Sequence, residues 1–179
     1  MGPSAPAYDR VVTSAMNALA AATFASVLVL VLSTGTAPAQ AESQFVHFTG
    51  SWSGSGSITV QDGTRERIRC RGRYVSSDNG NGLRLELRCA SDSYKFELQS
   101  DITHDGGGNI TGTWNETTRQ VFGSLTGRST NSHIQAVANS VGFTATLSLS
   151  TRGNQQRVSI KSPGSEISEV AISLARAGR

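Results

Sequence analysis

The chain has 179 residues and a formal net charge of +3, from 16 Lys and Arg against 13 Asp and Glu, an excess too small to imply a nucleic-acid partner. Lys95 and Lys161 are its only lysines, so the basic side is almost entirely arginine. Two cysteines, and three histidines without metal-ligand spacing, point to no metal and no cofactor.

Residues 11–32 carry no charge and include the apolar run Val27–Leu32. Gly35 and Pro38 follow, then Ala39-Gln40-Ala41, a small-x-small cleavage pattern. This predicts a signal peptide over 1–41 and one domain over 42–179, exported to a periplasmic or secreted location. A retained anchor is the competing reading, because an uncharged stretch of this length can span a bilayer. The alanine-diluted apolar centre and the helix breakers favour removal, and no cysteine follows for lipid attachment. No stable membrane insertion is then expected after cleavage.

From Phe48 onward apolar residues recur with period two, the signature of half-buried strands. Between Phe48 and Val60 the even positions are Phe, Gly, Trp, Gly, Gly, Ile and Val, while the odd positions are Thr and Ser. Asp62-Gly63 turns the chain. The second strand sets Ile68, Cys70, Gly72 and Tyr74 on one face and Arg65, Arg67, Arg69, Arg71 and Arg73 on the other.

Asn79-Gly80 suits a two-residue type I′ hairpin, and Cys70 lies nine residues before Asn79 as Cys89 lies nine after Gly80. The register places the two thiols opposite one another on the apolar face, so a Cys70–Cys89 disulfide is expected. Such a bridge fits an exported protein and stabilises it by roughly 3 kcal/mol in the chain-entropy model. The same register sets Arg73 against Glu86, a good pair, and Arg71 against Arg88, a poor one. Glu97 and Asp101 on the fourth strand are available to compensate.

The third strand continues with Leu83, Leu85, Leu87 and Cys89 inward, the fourth with Tyr94, Phe96, Leu98 and Ile102. After the turn Asp105-Gly106-Gly107-Gly108, strands are predicted near 109–115, 119–127, 132–139, 142–150, 155–162 and 166–175. The whole is an all-β chain of about ten strands with short connections. Short connections favour sequential antiparallel neighbours, hence an up-and-down meander forming a closed or partly closed barrel, with a β-sandwich as the alternative. A weak internal repeat, Thr49-Gly50-Ser51-Trp52 and Thr111-Gly112-Thr113-Trp114, supports some regularity.

Gly50-Ser51-Trp52 opening the first strand of an exported meander resembles lipocalins, and Ile110-Thr111-Gly112-Thr113-Trp114 resembles the first strand of avidin-type barrels. Both resemblances imply a calycin-type barrel that holds a small molecule inside. The tracts Gly50–Gly56, Arg67–Arg71 and Arg88–Tyr94 also resemble small exported bacterial proteins of uncharacterised function. That resemblance implies an envelope or secreted location and nothing about activity.

An outer-membrane barrel would show the same alternation with its apolar face turned to lipid. Trp52, Trp114, Tyr74 and Tyr94 are few for interfacial girdles, the chain ends without an aromatic, and the bridge would face lipid. These features favour the soluble barrel.

No catalytic residue stands out. There is no Gly-x-Ser-x-Gly elbow, and His47, His104 and His133 fall at strand edges and turns. Asp101, Asp105 and Asn109 lack calcium-loop spacing and are explained by a hairpin turn. Two binding readings remain. Side-chain-free wall at Gly54 and Gly56 leaves room for a small amphipathic ligand lined by Trp52 and Trp114, with Glu66 near one rim, unless glycine there merely permits tight coiling. Alternatively Arg67, Arg69, Arg71 and Arg73, about 7 Å apart along one strand face, meet an anionic polymer or lipid head groups of the envelope.

Overall fold

A computed structural model describes residues 43–77 and 80–178. The expected leader, 1–41, and Asn79 of the expected turn lie outside the described residues. Ten strands follow in chain order: β1 (Gly50–Val60), β2 (Arg65–Ser77), β3 (Gly82–Ala90), β4 (Lys95–His104), β5 (Asn109–Glu116), β6 (Val121–Ser129), β7 (His133–Ser140), β8 (Phe143–Arg152), β9 (Gln155–Lys161) and β10 (Ile167–Arg176). Each pairs antiparallel with its sequence neighbours, and β1 closes on β10, making a closed meander barrel and not a sandwich.

Period-two alternation governs every strand, most plainly β2, where Ile68, Cys70, Gly72 and Tyr74 are buried between exposed arginines. The apolar set faces the barrel interior, the reverse of an outer-membrane barrel, whose apolar side is outermost. A one-residue slip would turn each set to the wrong face, so this pattern fixes register. Between β2 and β3 that register is Ser77 opposite Gly82 and Cys70 opposite Cys89, as the sequence predicts, and the two cysteines are disulfide-bonded. Such a bridge fits an oxidising compartment.

The segment 43–49 closes one end of the barrel. Phe48 is not the first residue of β1 but part of a turn, in which the Phe48 and Thr49 amides donate to the Phe45 carbonyl. Phe45 and Phe48 are fully buried, and Phe45 meets His104 edge-on at 6.1 Å between ring centres. Burying two phenylalanines contributes roughly 2–3 kcal/mol each. Trp52 Nε1 donates to the Phe48 carbonyl at 2.9 Å, and Ser43 Oγ donates to the Gly80 carbonyl at 2.9 Å, tying the segment to both sides of the opening.

The glycines of β1 bring strands together. A Cβ at Gly54 would lie 2.1 Å from the Ser173 carbonyl oxygen, and one at Gly56 2.0 Å from that of Ala171. The backbone of β10 thus occupies the space that side chains would need, and the sheet coils sharply at the β1–β10 seam.

Candidate functional site: an apolar cavity and an arginine row

Away from the closed end, the interior holds a cavity of about 270 Å³, almost wholly apolar in lining. Its deeper wall includes Leu85, Ile102, Leu125, Ile134 and Leu149, and nearer the mouth come Phe96, Trp114, Phe143, Leu147 and Ile160. Trp114 and Phe143 form an aromatic wall with ring centres 5.5 Å apart. Trp114 lies against Gly123, directly opposite on β6, and its Nε1 donates to the Ser124 carbonyl at 3.1 Å. Glycine at 123 therefore accommodates the indole edge. Ala138 and Ala145, facing one another across β7 and β8, also line the cavity. Their short side chains leave space that a larger pair would fill.

Polar groups gather at the mouth: Glu116, Arg119, Ser162, Ser165 and Glu166. Glu116 is the structural member of this set. Its carboxylate accepts from the amides of Glu97 at 2.9 Å, Thr118 at 3.1 Å and Arg119 at 2.8 Å, bracing the β5–β6 turn against β4. Burial would push this carboxyl up, but those three amides outweigh it and hold it below the ordinary carboxylate range. Arg119 leans on Glu116 at 3.7 Å and donates to the Lys95 carbonyl at 3.3 Å. Ser162 and Ser165 share a hydroxyl–hydroxyl bond of 2.6 Å.

Of the interior residues expected from sequence, Trp114 is on the cavity wall, whereas Trp52, Gly54, Gly56 and Glu66 are elsewhere. Trp52 is packed at the closed end under Arg176, and Gly54 and Gly56 lie against β10. Glu66 accepts from the Ser93 amide at 3.0 Å and so braces the β3–β4 turn; bonds from Ser91 and Ser93 hold its carboxyl below the ordinary range. Sequence reasoning misses Ala138, Phe143, Ala145 and Ile160. The signal that could have found the two alanines is the small inward residues of β7 and β8, the same kind of signal read on β1.

The histidines do not converge. His104 is buried at the closed end with Nδ1 accepting from the Gly106 amide at 2.9 Å, His47 belongs to the closing segment, and His133 begins β7. Among the described residues no His, Cys, Asp and Glu cluster could hold a metal ion. Asp105 caps its own turn, accepting from the Gly107 amide at 2.7 Å and the Asn109 side chain at 2.6 Å.

Outside, Arg67, Arg69, Arg71 and Arg73 form an exposed row along β2. Arg73 stands opposite Glu86 and Arg71 opposite Arg88, in the expected register, yet Arg73 and Glu86 form no ion pair within 4.0 Å. Of the two carboxylates expected to compensate, Glu97 meets Arg88 at 3.8 Å and also Lys95 at 3.1 Å, while Asp101 holds Arg84 at 2.8 Å, so the β3 member of the Arg71 and Arg88 pair is compensated and Arg71 is not.

No family model matches the chain, and no curated protein matches it by sequence. Solved structures share its fold. Rv2717c from M. tuberculosis superposes with a TM-score of 0.59 at 11% identity, over 74% of this chain and 94% of that one. The S-type phycobiliprotein lyase CPES from Guillardia theta gives a TM-score of 0.50 at 9% identity, over 74% of this chain and 90% of that one. At such identities the likeness is one of fold, a closed antiparallel β-barrel.

Proposed function

We propose that this is an exported barrel, periplasmic or secreted, that binds a small amphipathic molecule without transforming it. The observation that carries the reading is the apolar cavity of about 270 Å³ with its polar groups confined to one mouth. A ligand with an apolar body would gain roughly 25 cal/mol for each Å² it buries against that wall, and its polar end would rest at Arg119, Ser165 and Glu166. Ser100 on the wall donates to the Thr113 carbonyl at 2.9 Å, so its hydroxyl adds no unmet polar demand.

Binding is favoured over turnover because Glu116, one of the two carboxylates at the mouth, is taken up by backbone amides and the histidines sit away from the cavity. A barrel of this shape also occurs in a protein named as a lyase, so catalysis is the competing reading. The leader expected over 1–41 and the Cys70–Cys89 bridge support export.

Native mass spectrometry of the protein taken from its own host, without denaturation, tests the reading. A small-molecule adduct is expected, together with the mass of a chain lacking residues 1–41 and two hydrogens. Ala138→Phe with Ala145→Phe should remove the adduct while the barrel stays folded. An adduct that survives this filling, or a wild-type cavity that takes up neither a host molecule nor the fluorescent probe anilinonaphthalene sulfonate, overturns it.

A further inference from the structure

We propose that the outward face of β1 and β2 is a track for a linear acidic polysaccharide, a chain of sugars bearing carboxylates or sulfates. The cations come first. Among the described residues no carboxylate lies within 4.0 Å of Arg67, Arg69, Arg71 or Arg73, although the neighbouring Arg84, Arg88 and Lys95 are all paired. Arg71 faces Arg88 across the ladder, a like-charge juxtaposition that disfavours the fold, and the Cys70–Cys89 bridge beside it fixes that register. Glu97 offsets Arg88, so the guanidinium groups left to a counter-charge outside the chain are those of the β2 row itself.

The geometry then selects the partner. Alternate residues of a strand are about 7 Å apart, so the guanidinium groups stand in single file. Each has a serine beside it on β1: Ser57 with Arg67, Ser55 with Arg69, Ser53 with Arg71 and Ser51 with Arg73. Small hydroxylated side chains leave a shelf along the row and offer hydrogen bonds to sugar hydroxyls, while guanidinium forks suit carboxylate and sulfate. A planar lipid surface would engage a broader patch with apolar anchors. The most exposed large apolar side chains, Phe122 and Val141, belong instead to β6 and the β7–β8 turn.

This track is on the outside of the barrel, so it stands or falls apart from the cavity. The test is binding of the protein to polygalacturonate and to dextran sulfate over a range of salt, beside vesicles of phosphatidylglycerol. Arg67→Gln/Arg69→Gln/Arg71→Gln is compared with Arg128→Gln/Arg152→Gln/Arg157→Gln, exposed arginines elsewhere with the same change of charge. The row variant should weaken polymer binding by about tenfold or more at low salt. It should also flatten the slope of log K against log salt by about 2, at roughly 0.7 for each polymer charge that an arginine no longer neutralises. The control should change binding by less than about twofold. In the unaltered protein, polymer should shift the amide resonances of Ser51–Ser57 and Arg67–Arg73, which reads the site even if a variant fails to fold. Equal loss in the control, shifts centred on other strands, vesicles bound as tightly with the same dependence on the row, or no polymer binding by the unaltered protein would each overturn the proposal.

Discussion

Arg176 lies with its guanidinium carbon 4.3 Å from the centre of the Trp52 ring and donates to the carbonyls of His47 and Thr49. The end of the last strand thereby clamps the segment that closes the barrel, and the segment in turn covers the first strand's tryptophan. A cation on an indole and charged hydrogen bonds to carbonyls are each worth about 1–2 kcal/mol in a partly desolvated site. Arg176→Ala is expected to lower stability by about 2–3 kcal/mol and to speed amide exchange at 45–49. Arg176→Lys should recover part of this, because it keeps the charge and loses the fork. Urea unfolding of the three proteins at a common m-value measures it; equal midpoints would show that the clamp carries no stability.

Gly54→Ala should destabilise the barrel and leave the cavity unchanged. Its Cβ would meet the Ser173 carbonyl oxygen at 2.1 Å and Leu174 Cα at 2.9 Å, both backbone of the strand that closes the barrel. Neither can swing aside as a side chain would, so a cost of about 2–3 kcal/mol is expected from overpacking. The reading of this glycine as empty wall predicts instead a loss of ligand with stability intact. Midpoint of unfolding and probe affinity, measured on the same variant, separate the two.

Strand order and register were legible because alternation is a local property. In β2 each arginine is followed by a residue of the other face, and a one-residue slip would turn Ile68, Cys70 and Tyr74 outward together. The Asn79-Gly80 spacing then set Cys70 against Cys89 without any long-range information. What is not local was misplaced. Phe48 has the parity of an inward β1 residue, yet it belongs to the turn beneath the barrel. Which inward residues face a void depends on how sharply the sheet coils, and that is decided where strands distant in sequence meet. Gly54 against Ser173 is such a meeting, as is Trp114 over Gly123. The cavity wall of Ala138, Phe143 and Ala145 could not be told from filled core by alternation alone.

The Cys70–Cys89 bridge links residues with a sequence separation of 19, and its removal should cost about 3 kcal/mol in the chain-entropy model. Because Arg71 and Arg88 face each other at the next rung, part of the loss should depend on salt. Cys70→Ala/Cys89→Ala is expected to regain some stability between low and moderate ionic strength, where screening weakens that repulsion, more than the bridged protein does. Denaturation midpoints at two salt concentrations check this. A difference between the two proteins that is the same at both would show that the bridge does not oppose the charge pair.

Glu116 ties the cavity mouth to acid stability. Its side chain holds the amides of Glu97, Thr118 and Arg119, so the ionised form is favoured in the folded protein and its carboxyl titrates below the ordinary 4.5. A carboxyl lowered in this way adds stability that is complete above its unfolded value and disappears as pH falls through the folded one. The barrel is therefore expected to lose stability below about pH 4.5, starting with the β5–β6 turn and Arg119, which rests on the same carboxylate. Glu116→Gln keeps one acceptor oxygen and loses the charge, so it should be less stable at pH 7 by about 1–2 kcal/mol and show a shallower decline between pH 5 and about pH 3. If the two proteins lose stability in parallel over that range, Glu116 is not the group that titrates. A parallel fall in probe affinity of the unaltered protein over the same range would place the effect at the mouth, because the cavity wall beyond Glu116 has no other carboxylate except Glu166 among its described lining residues.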